Sequence, residues 1–148
     1  MNTLRTFCIY ALFMILLPPT TGLTQGQPEP VEIGQIYTMY SEILQEERTY
    51  WVSFPDGYND STYTPRSYPV LYVLDGSRFF HPVTGMVKYM NLNPQIPEMI
   101  IVAIPNTNRV RDLFPTHSMV DHAGQKSEHL EETGGGETFL EFVREELF

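Results

Sequence analysis

The sequence predicts an α/β fold: a mixed, mostly parallel sheet with flanking helices, which this chain supplies incompletely. Three observations lead there. Pro69-Val70-Leu71-Tyr72-Val73-Leu74 is a continuous apolar run that stops at Asp75-Gly76-Ser77-Arg78. A run without alternation reads as a strand buried on both faces, and such strands need helices on each side of the sheet. Met99-Ile100-Ile101-Val102-Ala103-Ile104 is a second run of the same kind, and an amphipathic segment separates the two. Strand, tight glycine turn, helix and strand make a βαβ unit, whose connection is long enough for two parallel strands.

Taken in order, residues 1–26 carry the marks of an export signal. Arg5 stands in a short polar lead, the apolar core runs from Phe7 to Leu17, and Pro18-Pro19 and Thr20-Thr21-Gly22 follow, with cleavage expected between Gly22 and Gly26. About 11 apolar residues are too few to cross a bilayer as a stable helix. No membrane span is therefore expected after cleavage, and the protein is expected to be secreted or periplasmic; the alternative is an uncleaved signal anchor. The only cysteine, Cys8, leaves with the signal, so residues 27–148 have no disulfide or thiol chemistry. They hold 8 basic and 18 acidic residues, a net charge of about −10, which argues against nucleic acid as a partner.

Within residues 27–148, linker-like sequence from Gln25 to Pro30 precedes a segment from Val31 to Leu44 that reads as an edge strand. Tyr50-Trp51-Val52-Ser53-Phe54 is a short β-rich run closed by Pro55, and Asp56-Gly57-Tyr58-Asn59-Asp60 is a turn by composition. These two early strands are expected to pair antiparallel. After the strand at Val70, Pro82 suits the first position of a helix, with Val83, Met86, Val87 and Met90 on one face. Between Pro105 and Gly136 no periodicity is visible, and a stretch of that length predicts a binding surface or a mobile loop. Beyond it, Thr138-x-x-Glu141 reads as a capping box, Phe139, Leu140, Phe142, Val143 and Leu147 as an apolar stripe, and Glu141 and Arg144 as an ion pair. The stripe still runs at Phe148, and a helix crossing back over a parallel sheet should feed another strand, so the domain reads as truncated.

Several of these segments together resemble a family. They are Tyr50-Trp51-Val52-Ser53-Phe54-Pro55-Asp56-Gly57-Tyr58, Tyr68 to Gly76, Ile101-Val102-Ala103-Ile104-Pro105-Asn106 with Arg111-Asp112-Leu113-Phe114-Pro115-Thr116, and Gly134-Gly135-Gly136 before Phe139-Leu140-x-Phe142-x-x-Glu145-Glu146-Leu147. In this order they resemble the esterase D and enterochelin esterase group of α/β-hydrolases, from about Glu32 to the end. The resemblance implies the N-terminal part of an α/β-hydrolase fold and hydrolysis of a small-molecule carboxylic ester by a serine, a histidine and an acid. The serine of such enzymes sits in G-x-S-x-G. None of Ser41, Ser53, Ser61, Ser67, Ser77, Ser118 and Ser127 has glycines on both sides at that spacing. No nucleophile or triad member is therefore assigned, and the chain ends before the expected elbow.

The resemblance does carry over one catalytic element. Backbone N–H groups aimed at the carbonyl oxygen stabilise the charge that builds there, and the family's Asp-Gly-x pattern puts one such donor at the N–H of Ser77, with Gly76 opening the turn to the substrate. The simpler reading of Asp75-Gly76 is a strand-ending turn. Ser77 itself has no base placed beside it by sequence. Arg78, and Arg109 and Arg111 after the second buried strand, are candidate substrate-binding cations, able to clamp an anionic group; alternatively Arg111 and Asp112 pin the long loop. His117, Asp121, His122 and His129 suggest a metal site by residue type, but the loop composition favours solvated side chains, and neither metal nor cofactor is expected. The expected function is an exported carboxylic-ester hydrolase represented by an N-terminal portion that is inactive alone. The alternative is a noncatalytic binding domain using residues 105–136, with or without a metal.

Overall fold

Strand β1, Gln35–Ser41, turns at Gln45 into β2, Glu46–Ser53, and the two pair antiparallel with Tyr37 opposite Tyr50. Their rings stack at 5.5 Å. The computed structural model describes residues 26–59, 62, 66–93 and 95–148, and the export-signal reading of residues 1–25 lies outside them. Within the unit from Glu32 to Phe148, β3 is Val70–Leu74, helix α1 is Gly76–Leu92 and β4 is Ile100–Ile104. The sheet order is β1-β2-β4-β3. β4 pairs parallel with β3 and antiparallel with β2, so the sheet is mixed and its parallel part is the βαβ unit.

β4 is the strand buried on both faces. Ile101 and Ala103 pack with Phe80 of α1 on one side, joined by Trp51, Val73, Val83 and Val87. On the other side Ile104 packs with Phe139 and Phe142. Those two belong to α3, Gly136–Phe142, which continues as a wider π-type turn, Val143–Leu147. Trp51 meets Phe80 edge-on at 5.5 Å.

The same apolar composition gives β3 a different fate. Val70, Leu71 and Leu74 are 43%, 36% and 43% exposed, because β3 stands at the end of the sheet with no paired strand beyond it among the described residues. Burial on both faces thus requires a central position as well as an apolar run.

Helix α1 begins six residues before Pro82, at Gly76, and Pro82 lies inside it. The turn at Asp75 feeds the chain straight into helix, and only the N–H that proline lacks is lost from the ladder. β2 likewise begins four residues before Tyr50. The segment between Pro105 and Gly136 contains helix α2, Arg109–Leu113, an isolated bridge between Val120 and Lys126, and a 3₁₀ turn, Glu128–Leu130. α2 is too short to show periodicity, but Asn108 caps it by accepting from the Arg111 N–H at 3.1 Å.

At α3 the expected capping box is absent: Gly135 occupies the cap without a side-chain hydrogen bond. Arg144 pairs with neighbouring Glu145 at 2.7 Å rather than with Glu141. Glu146 instead reaches the β1–β2 turn, where its Oε1 accepts from the N–H groups of Glu42 and Ile43 and its Oε2 from the Ser41 hydroxyl.

Candidate active site

The Asp75-Gly76-Ser77 turn lies at the carboxyl end of β3, the position where α/β sheets gather their ligands. Asp75 is left-handed, with φ 53° and ψ 43°. A Cβ on Gly76 would lie 2.7 Å from the backbone of Ile104 and 2.8 Å from Pro105, so only glycine lets the turn press against the end of β4. The Asp75 carbonyl accepts from the N–H groups of Arg78 and Phe79 at 2.9 and 3.2 Å. The N–H groups of Gly76 and Ser77 precede these and take no acceptor among the described residues. Gly76 is buried and Ser77 exposed as residues, and both open donors stand at the start of a 17-residue helix.

The Asp75 side chain is tied down. Its Oδ1 accepts from Arg109 Nε at 2.8 Å and from the Asn106 amide, and its Oδ2 from Arg109 Nη2 at 3.3 Å. The Arg109 hydrogen bond, followed by that of Asn106, holds the carboxyl below its ordinary range. Arg78 leaves the turn outward, its guanidinium 5.4 Å from the Phe79 ring centre.

Arg111 lies elsewhere. Its Nη1 and Nη2 donate to the two oxygens of Glu46 at 3.0 and 2.7 Å, and its Nε donates to Asp112 at 2.8 Å. The bond from Arg111 is the chief cause of the lowered Glu46 pKa, outweighing burial, which pushes the other way. Arg48 completes the network, reaching Glu46 at 2.6 Å and Asp112 at 2.7 Å. Arg111 also fixes the glycine run, because its carbonyl accepts from the Gly135 N–H while that of Phe114 accepts from Gly136.

The remaining polar candidates do not converge. Nδ1 of His117 meets the Thr133 carbonyl at 3.1 Å, and Oδ1 of Asp121 accepts from the N–H groups of Ala123 and Gln125 within its own turn. Among the described residues no group of three His, Cys, Asp or Glu is arranged to hold a metal, and no serine hydroxyl is bonded to a histidine. A pocket lined by Phe54, Val87, Leu92 and Met99 lies at the far end of α1, about 20 Å from Ser77 by helical rise.

Arg48 and Asn106 acquire functions here that the sequence did not suggest, and Arg109, expected as a cation after the second buried strand, bonds to Asp75. The available signal for Arg48 was its spacing of two from Tyr50 and of four from Val52, which puts all three on one face of a strand longer than the β-rich run. For Asn106 no comparable signal exists, and for Arg109 only its position after a strand, since their partner is 31 and 34 residues away.

A glycine turn opening an α1 helix at the end of a parallel strand, beside a mixed sheet with helices on both faces, defines an α/β-hydrolase type of domain. The family model described as "Putative esterase" matches residues 41–148, and the chain belongs to this esterase family. The IroE-like serine hydrolase of Shewanella oneidensis is similar, with 39% identity and a TM-score of 0.72 over 77% of this chain and 36% of that one. The BES protein of Bacillus cereus is 25% identical with a TM-score of 0.61, over 84% and 49% of the two chains. The siderophore hydrolase EstA of Aspergillus nidulans shares the fold at 20% identity, with a TM-score of 0.64 over 84% and 46%. The chain thus spans between about a third and a half of the length of these structures. A search of curated proteins found no match.

Proposed function

We propose that this chain is the oxyanion-side portion of an exported serine carboxylic-ester hydrolase, and that it carries no Ser/acid/His triad of its own. The observation that carries the reading is the open Ser77 N–H at the head of α1, on a turn that Gly76 presses against β4. A carbonyl oxygen becoming negative there would meet a backbone donor and the positive end of a helix, and such stabilisation typically amounts to about 3–4 kcal/mol. Arg78, exposed beside the turn, would meet an anionic group of the ester. Arg111, already bonded to Glu46 and Asp112, would act on the substrate side through the loop it holds.

The absence of a G-x-S-x-G sequence and of a serine–histidine pair among the described residues supports the second half of the proposal. Without nucleophile and base there is no route to an acyl-enzyme. The export-signal pattern of residues 1–26 supports secretion or a periplasmic destination, and no helix among the described residues is long and apolar enough to cross a membrane.

Two measurements test this. The purified chain should show no saturable turnover of p-nitrophenyl acetate; hydrolysis abolished by one serine substitution would place a nucleophile within it and overturn the second half. Phenylphosphonate, a tetrahedral anion, should move the Ser77 amide resonance of the ¹⁵N-labelled chain. A titration that leaves this amide unmoved would overturn the oxyanion assignment.

A further inference from the structure

We infer that Asp75 is a positioning residue that aims the Ser77 N–H, held for that purpose by Arg109 and Asn106. The inference rests on the oxyanion reading for its catalytic meaning, though the geometry it describes is measurable without it.

Asp75 and Gln45 are the two described non-glycine residues with positive φ. The left-handed conformation costs a side-chain-bearing residue about 1–2 kcal/mol and persists where surrounding contacts over-determine it. At Asp75 those contacts come from one direction. Arg109 and Asn106 both belong to the segment after β4, and they bring three donors to one carboxylate that leaves the end of β3. The side chain therefore spans two neighbouring strand ends, while Gly76 packs its backbone on the same strand end at Ile104 and Pro105. Side-chain bridge and backbone contact together fix the residue on either side of the Asp75–Gly76 peptide, leaving Ser77 little freedom in where its N–H points.

The bridge also settles an electrostatic conflict. An ionised carboxylate two residues from an oxyanion donor would repel the charge that donor is to stabilise. The Arg109 guanidinium, engaging both carboxylate oxygens, places a compensating positive charge beside it. Asp75 can then act as a mechanical anchor with little net field at the turn.

The test uses ¹⁵N relaxation and amide shifts of the chain with Arg109→Gln, Asp75→Gly and Asp75→Asn. Arg109 is 56% exposed, so its loss should spare the fold, which unmoved amides of Val52 and Val102 in the central strands would verify. Glycine adopts the left-handed conformation freely, so Asp75→Gly removes the bridge without adding backbone strain. In both variants the Ser77 amide should shift and its order parameter fall from about 0.85 toward about 0.6. Asp75→Asn retains an acceptor and a tolerance for positive φ, and should restore part of the rigidity. If the Ser77 amide of Arg109→Gln and Asp75→Gly matches the parent in shift and order parameter, the turn is set by its backbone alone and the inference is wrong. Failure of phenylphosphonate to bind the parent is a separate result, which removes the oxyanion reading and not the positioning.

Discussion

The guanidinium of Arg48 donates from Nη2 to Oδ2 of Asp112 across 2.7 Å, with each side chain 1% exposed. The pair joins β2 to α2, and the guanidinium lies 5.4 and 5.6 Å from the ring centres of Phe139 and Phe142 in α3. Its Nε has no partner among the described residues. One ion pair thus locks strand, loop helix and carboxyl-terminal helix together at the base of the long loop.

Removing Asp112 takes from the buried Arg48 guanidinium one of its two carboxylate partners and leaves it Glu46 alone. Asp112→Ala should destabilise the chain by about 1–3 kcal/mol, read as a lower urea midpoint at unchanged slope. Arg48→Met combined with Asp112→Leu should cost less than Asp112→Ala alone, since no charge is then left buried. Equal or greater loss in the double variant would mean that the pair itself, and not the avoidance of an orphaned charge, stabilises the fold.

Two glycines of α1 should respond with opposite signs. Gly76→Ala drives a methyl to within 2.7 Å of the Ile104 backbone, and overpacking of that kind costs about 1–3 kcal/mol. Gly85→Ala meets nothing within 4 Å and should gain up to about 1 kcal/mol from helix propensity. Thermal or urea denaturation of the two variants side by side measures both.

Acid should weaken the protein through Glu46 and Asp75. Both pKa values are depressed in the folded state, chiefly by hydrogen bonds from Arg111 and Arg109, from ordinary values of 4.5 and 3.8. The folded state therefore binds fewer protons than the unfolded one, and the stability is present above those values and lost as pH falls below them. Urea midpoints should decline from about pH 4.5 downward, and Glu46→Gln should decline less steeply than the parent. An unchanged slope would show that Glu46 is not linked to acid unfolding.

Thr84 is 1% exposed inside α1, and its hydroxyl has no partner among the described residues. Thr84→Val keeps the shape and removes the unpaired group, and should raise stability by about 1 kcal/mol or more. A loss of stability would place an unseen acceptor beside Oγ1.

The βαβ unit was legible in the sequence because two uninterrupted apolar runs and the amphipathic stretch between them are local patterns. The difference between β3 and β4 was not, since Val70-Leu71 and Ile100-Ile101 are chemically alike and only strand order decides which is covered. Helix boundaries were missed where tertiary contacts override local signals. Asp75 starts α1 from a left-handed turn that Arg109 supports, and Glu146, not a capping box at Thr138, fastens the carboxyl-terminal segment. The Asp75-Gly76-Ser77 turn stood out by its position after a strand, whereas the residues that hold it lie more than 30 positions away. Charged residues within a loop give no indication of their partners: Arg111 meets Glu46 of β2, which preceded the strand as the sequence outlined it.

Trp51 is the single tryptophan of the chain, and Phe80 touches its indole edge-on. The protein consequently carries its own optical reporter: fluorescence emission will follow the docking of the first helix on the sheet, separately from events at the opposite layer, and no extrinsic dye is required to time that step during refolding.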